Sequence, residues 1–119
     1  MVTDLNRIVV EVDPVLRDLV PVYLTNRRGD IELVKVALDR GDFGTIRRAG
    51  HNMQGSGSSF GFDGLTAIGA ELERAAKAGK RMEITRLLHD LQHYLSRLDV
   101  RAADPPPIPP ELHHRWRGT

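Results

Sequence analysis

The residues best placed to do chemistry lie in one short stretch, Arg47-Arg48-Ala49-Gly50-His51-Asn52-Met53-Gln54-Gly55-Ser56-Gly57-Ser58. An ordinary solvated imidazole titrates near pH ~6.5, so at neutral pH much of it is uncharged and nucleophilic. A phosphoryl group moving onto such a nitrogen needs an in-line path and donors to balance the charge on its equatorial oxygens. Arg47 and Arg48 bring positive charge, and Gln54 and Ser58 bring hydrogen bonds. No carboxylate cluster able to hold Mg²⁺ lies beside His51 in the sequence. Nor does the chain carry a Walker-type loop or a G-x-G-x-x-G turn after a strand. A nucleotide-binding site is therefore not expected, and any metal and catalytic apparatus would come from a partner.

Phe43 to Phe60 is expected to form one helix, preceded by the stop and cap Gly41-Asp42 and followed by Gly61. Projected at about 100° per residue, Ile46, Ala49, Gly50, Met53, Gly57 and Phe60 fall within about 40° of one direction, which marks the buried face. On that face Gly50 and Gly57 would let a neighbouring helix come close. His51 projects about 140° away from Ile46, with Arg47 one turn before it and Gly55 one turn after. Residues i and i+4 stack on a helix surface, so the missing side chain at Gly55 leaves the imidazole uncovered.

The rest of Asp13–Val100 reads as helix as well. Asp13-Pro14 opens a first helix with the stripe Leu16, Leu19, Val20, Tyr23, Leu24, Ile31, Val34 and Leu38, with a break or kink expected near Pro21 and another near Gly29. Asp63 is the expected N-cap of a third helix carrying Leu65, Ile68, Leu72 and Ala76, which Gly79 ends. A fourth carries Ile84, Leu87, Leu88, Leu91, Tyr94, Leu95 and Leu98. Short connections make successive helices antiparallel. The expected fold class is all-α, an up-down antiparallel four-helix bundle over 13–100. Residues 1–12 form an extended lead-in that includes the β-branched run Ile8–Val12, and 101–119 form a proline-rich tail.

His51-Asn52-Met53-Gln54-Gly55-Ser56 resembles the motif of histidine-containing phosphotransfer (HPt) domains, His-x-x-Lys-Gly-Ser, and Leu72-Glu73 matches the Leu-Glu on their next helix. The resemblance covers about 13–98 and includes the order of the helices. It implies a four-helix bundle in which His51 accepts a phosphoryl group from a receiver-domain aspartate and passes it to another, with Gly55 giving access. Ser56 matches the motif serine, although the projection turns it partly toward a neighbouring helix. Where the family usually has lysine this chain has Gln54, which brings no charge, and Arg47 or Arg48 is expected to compensate in part.

Composition narrows the alternatives. Seventeen Lys and Arg against sixteen Asp and Glu leave a formal charge of +1, which requires no nucleic-acid partner. There is no cysteine, so thiolate chemistry and disulfides are excluded. No apolar run approaches the ~20 residues that span a bilayer. Met1-Val2-Thr3-Asp4-Leu5 has neither the basic start nor the apolar core expected of a signal segment. His89 and His93 are spaced i, i+4 but project away from the Leu91 stripe, as solvated residues do. Asp104–Pro110 holds five of the seven prolines, and His113, His114 and Trp116 follow it. The expectation is a cytoplasmic, monomeric phosphocarrier of a two-component phosphorelay. Its partners would be response-regulator receiver domains and a sensor kinase, with Mg²⁺ on the receiver and no cofactor of its own. The alternative is an unphosphorylated helical module that binds and modulates a receiver or kinase, which Gln54 favours.

Overall fold

The computed structural model describes residues 7–102. Four helices follow one another: α1 Val20–Asp39, α2 Phe43–Phe60, α3 Asp63–Lys77 and α4 Arg81–Arg97. They are joined by turns in which Gly41, Gly61 and Gly79 adopt φ of 70°, 85° and 64°. That left-handed conformation ends a helix and reverses the chain within a few residues, which makes successive helices antiparallel. Asp42 starts α2 by accepting a hydrogen bond from the Thr45 backbone N–H at 3.1 Å.

The first helix is broken before Pro21. Asp13 caps a 3-10 segment, Pro14–Leu19, and the α-helix begins at Val20 with Pro21 in its first turn, where a missing N–H costs nothing. A 3-10 segment repeats every three residues rather than every 3.6. The projected stripe therefore does not carry across the junction, and Leu19 is exposed instead of buried. At Gly29 α1 runs on without interruption.

Two further boundaries differ from the sequence expectation. Phe62, fully buried in the turn, occupies the N-cap position of α3, and Asp63 is its first helical residue, where a carboxylate favours the helix dipole. Leu98 leaves the fourth helix at extended backbone angles and starts a strand. That strand, β2 Leu98–Ala102, pairs in parallel with β1 Ile8–Val12. Val10 and Val12 turn into the core, Val10 opposite Val100, while Glu11 and Arg101 pair on the outer side. Residues 1–6 and 103–119 lie outside the described residues, among them Asp104–Pro110, His113, His114 and Trp116.

One core runs through the bundle, built from Val34, Ile46, Met53, Phe62, Leu65, Leu72, Ile84, Leu87 and Leu91, all nearly inaccessible to solvent. The closest helix pair is α2 and α3. A Cβ on Gly50 would stand 2.7 Å from the Glu73 backbone nitrogen and 2.7 Å from the Gly69 carbonyl oxygen. A Cβ on Gly69 would stand 2.6 Å from the Gln54 nitrogen and 2.6 Å from the Gly50 oxygen. Gly57 faces Thr66 in the same way, at 3.0 Å. Backbone cannot yield as a flexible side chain can, so these glycines set the spacing of the two helices.

Gly50→Ala is therefore expected to destabilise the fold by about 1–3 kcal/mol, the usual cost of overpacking, despite the better helix propensity of alanine. Urea unfolding measures it, and a variant as stable as wild type would refute the close-crossing account.

Candidate functional site

The same crossing positions the site. Because Gly50 admits the Glu73 backbone against α2, the Glu73 side chain reaches the residue next to Gly50, which is His51. Glu73 Oε1 stands 3.4 Å from His51 Nδ1. The two side chains differ in exposure: 71% for His51 and 19% for Glu73. A largely sheltered carboxylate thus faces one nitrogen of an open ring, and Nδ1–H is the tautomer that it favours. Nε2 is the ring nitrogen left for an incoming group. A second contact ties Glu73 Oε2 to Lys77 Nζ at 3.7 Å.

A cleft of about 230 Å³ beside the imidazole is lined by Arg47, Arg48, His51, Asn52 and Glu73. Side chains on a helix lean toward its N-terminus, so the imidazole lies over the turn of Arg47 and Arg48. Arg48 leans on in the same direction, and its guanidinium donates to Thr45 Oγ1 at 3.2 Å. Gly55 is open: beyond the adjoining backbone of its own helix, nothing lies within 4 Å of the position its Cβ would take. A side chain there would lean back over His51. Gln54 is half-buried, and its backbone is part of the crossing with Gly69. Ser58 is exposed on the imidazole's side of α2, two helical turns farther on. Arg47, Arg48 and Gly55 therefore adjoin His51 directly, whereas Ser58 is remote from it.

Ser56 points the other way. Its hydroxyl is 2.8 Å from Tyr23 Oη, accepts from Arg27 at 3.2 Å and donates to the Asn52 carbonyl at 2.9 Å. Arg27 packs over the Tyr23 ring and donates to Asp30 at 2.7 Å. Tyr23 also stacks on Phe60 at 4.3 Å between ring centres. The motif serine thus ties α2 to α1, on the flank of α2 opposite to Glu73.

Sequence reasoning recognised Leu72-Glu73 only through resemblance and assigned Glu73 no role. A carboxylate 22 positions along the chain becomes a partner of His51 only once the helix crossing is known. His89 and His93 are exposed on α4. Among the described residues no group of three His, Asp or Glu side chains stands close enough to hold a metal.

A family model, described as Hpt domain, matches residues 18–101. The chain belongs to the Hpt domain family. No curated protein and no solved structure matches it significantly. The matched span takes in all four Hpt helices, both walls of the His51 cleft and nearly all of β2. Hpt domains serve histidine phosphotransfer in phosphorelays and interact with response regulators and kinases. Among the described residues no helix of this Hpt domain is long and apolar enough to cross a membrane.

Burial holds Asp30 above the usual carboxylate value, and Arg27 only partly offsets it. A raised native pKa means that the folded chain keeps this proton after the unfolded chain has lost it. The stability Asp30 contributes thus falls as pH rises from about 3.9, the unfolded value, through the raised one. Asp30→Asn is expected to flatten the pH dependence of stability across that window, read by urea unfolding in steps from acid to neutral pH. An unaltered profile would show that the Asp30 carboxyl is not desolvated.

Proposed function

We propose that this chain is a phosphocarrier, taking a phosphoryl group on His51 Nε2 from a receiver-domain aspartate and returning it to another. The observation that carries the reading is the pairing of an exposed imidazole with Glu73 at Nδ1 and the bare position Gly55 beside it. In the forward step the Nε2 lone pair attacks phosphorus, the P–N bond forms and the P–O bond to the donor aspartate breaks. The carboxylate leaves with the electron pair, and the Nδ1 proton of the resulting imidazolium faces Glu73. The return step runs the same sequence backwards. Arg47 and Arg48 supply positive charge at the cleft, and Mg²⁺ would sit on the receiver, where the aspartate is.

The docking face extends onto the first helix. Val22, Asn26, Gly29, Leu33 and Val36 lie within about 40° of one direction on the solvent side of α1, and its three large apolar residues are all exposed. Like Gly55, Gly29 has open space where a Cβ would be. Tyr23 and Arg27, their chain neighbours, reach Ser56, so this stripe flanks the His51 helix. Bare backbone and apolar side chains beside an exposed imidazole suit a receiver that binds briefly and lets go, in the cytoplasm where receivers work. The rival reading, a module that binds receivers without being phosphorylated, draws on Gln54 in place of lysine.

Incubation with a panel of phosphorylated receivers and kinases from the same source is expected to put acid-labile, base-stable label on wild type and none on His51→Gln. Binding without label from every donor would instead support the scaffold. Gly55→Ala is expected to gain about 0.5–1 kcal/mol of stability from helix propensity and still to lose transfer rate. Gly55→Leu is expected to slow transfer at least about tenfold, as misplacement of reacting atoms does. Unchanged rates in both variants would remove access as the role of Gly55.

A further inference from the structure

Lys77 belongs to no part of the site described by the motif, yet it is the cation tied most directly to the partner of His51. It lies one turn after Glu73 on α3, the order in which a Glu and Lys pair supports a helix. Its ammonium contacts Oε2, while Oε1 of the same carboxylate faces the imidazole. Glu73 thus bridges two groups, one on each helix of the crossing. On α2 the cations near His51 are Arg47 and Arg48, which line its cleft and form no ion pair with Glu73. Gln54 is neutral, and Arg48 is engaged with Thr45 one turn away.

We propose that Lys77 is a positioning residue for His51, acting through Glu73. By holding Oε2, it keeps Oε1 directed at Nδ1 and so keeps the ring proton on Nδ1 and the lone pair on Nε2. It also offsets the negative charge of Glu73, which otherwise opposes the arrival of a phosphoryl dianion on the same ring. Only the second effect rests on the phosphocarrier reading, because the first concerns the unphosphorylated protein. Lys77 is 59% exposed and lies in the last turn of α3, so its replacement leaves the core untouched.

The test is ¹⁵N NMR of the His51 ring in the full chain, at a pH where the imidazole is neutral. Wild type is expected to show the Nδ1–H tautomer. Lys77→Met should shift the population toward Nε2–H, and Lys77→Arg should restore it. In a Glu73→Gln background, Lys77→Met should change nothing further. An unchanged tautomer ratio in Lys77→Met, or the same shift with and without Glu73, overturns the proposal. With a phosphorylated receiver as donor, Lys77→Met is expected to slow labelling by about twofold to fivefold, the scale of a solvent-exposed ion pair. A rate equal to wild type overturns the charge-offset part. If no donor labels wild type, the phosphocarrier reading fails, and the tautomer comparison still decides the positioning role.

Discussion

The backbone contact between α2 and α3 at Gly50 and Gly69 is the constraint from which the site follows. Where two helices each lack a Cβ at their crossing, carbonyl oxygens and amide nitrogens come within reach of one another. The residues next to the crossing then have fixed neighbours. Here those residues are His51 after Gly50 and Glu73 one turn after Gly69. An imidazole on an exposed helix face would ordinarily turn freely in water. The crossing gives it a carboxylate at one nitrogen and leaves the other nitrogen open.

The opposite flank of α2 is tied to α1 by side chains rather than by bare backbone. Tyr23, Arg27 and Ser56 form a polar cluster over stacked aromatic rings, with Asp30 closing it. The His51 helix is thus held on both sides and from below by the core, and its outer surface remains open. A carrier has little chemistry of its own to perform. It must hold a nucleophile rigidly at a surface that a second protein can approach, and the division between packed and bare faces of α2 suits the proposed role. Gly50 and Gly55 show the division in one residue type. At Gly50 the missing side chain makes room for a neighbouring helix, and at Gly55 it leaves the surface beside His51 open.

Much of this was legible in the sequence, because helical periodicity separates faces well within a continuous helix. The projection of α2 assigns Ile46, Ala49, Gly50, Met53, Gly57 and Phe60 to the buried face and His51 to solvent; the structure buries the first five, leaves Phe60 half-buried against Tyr23 and exposes His51. It failed where the geometry changes period or partner. Leu19 was misplaced because Pro14–Leu19 winds as a 3-10 segment. Leu98 continued the apolar spacing of the fourth helix but belongs to a strand. Its partner strand, Ile8–Val12, lies about ninety residues away, and no local pattern reports a pairing at that separation. Glu73 escaped for a related reason. Its role depends on a helix crossing angle and register, which the spacing of apolar residues on either helix does not specify. Ser56 was half-legible: its direction could be projected, but Tyr23 and Arg27 could not be named as what it meets.

The central claim is that the ring of His51 is held by Nδ1 and reacts at Nε2. Long-range ¹H–¹⁵N correlation of the phosphorylated chain, with phosphorus coupling resolved, identifies the nitrogen that bears the phosphoryl group. The account predicts phosphorus on Nε2 of His51, with a proton on Nδ1. Phosphorus on Nδ1, or on any residue other than His51, would contradict it.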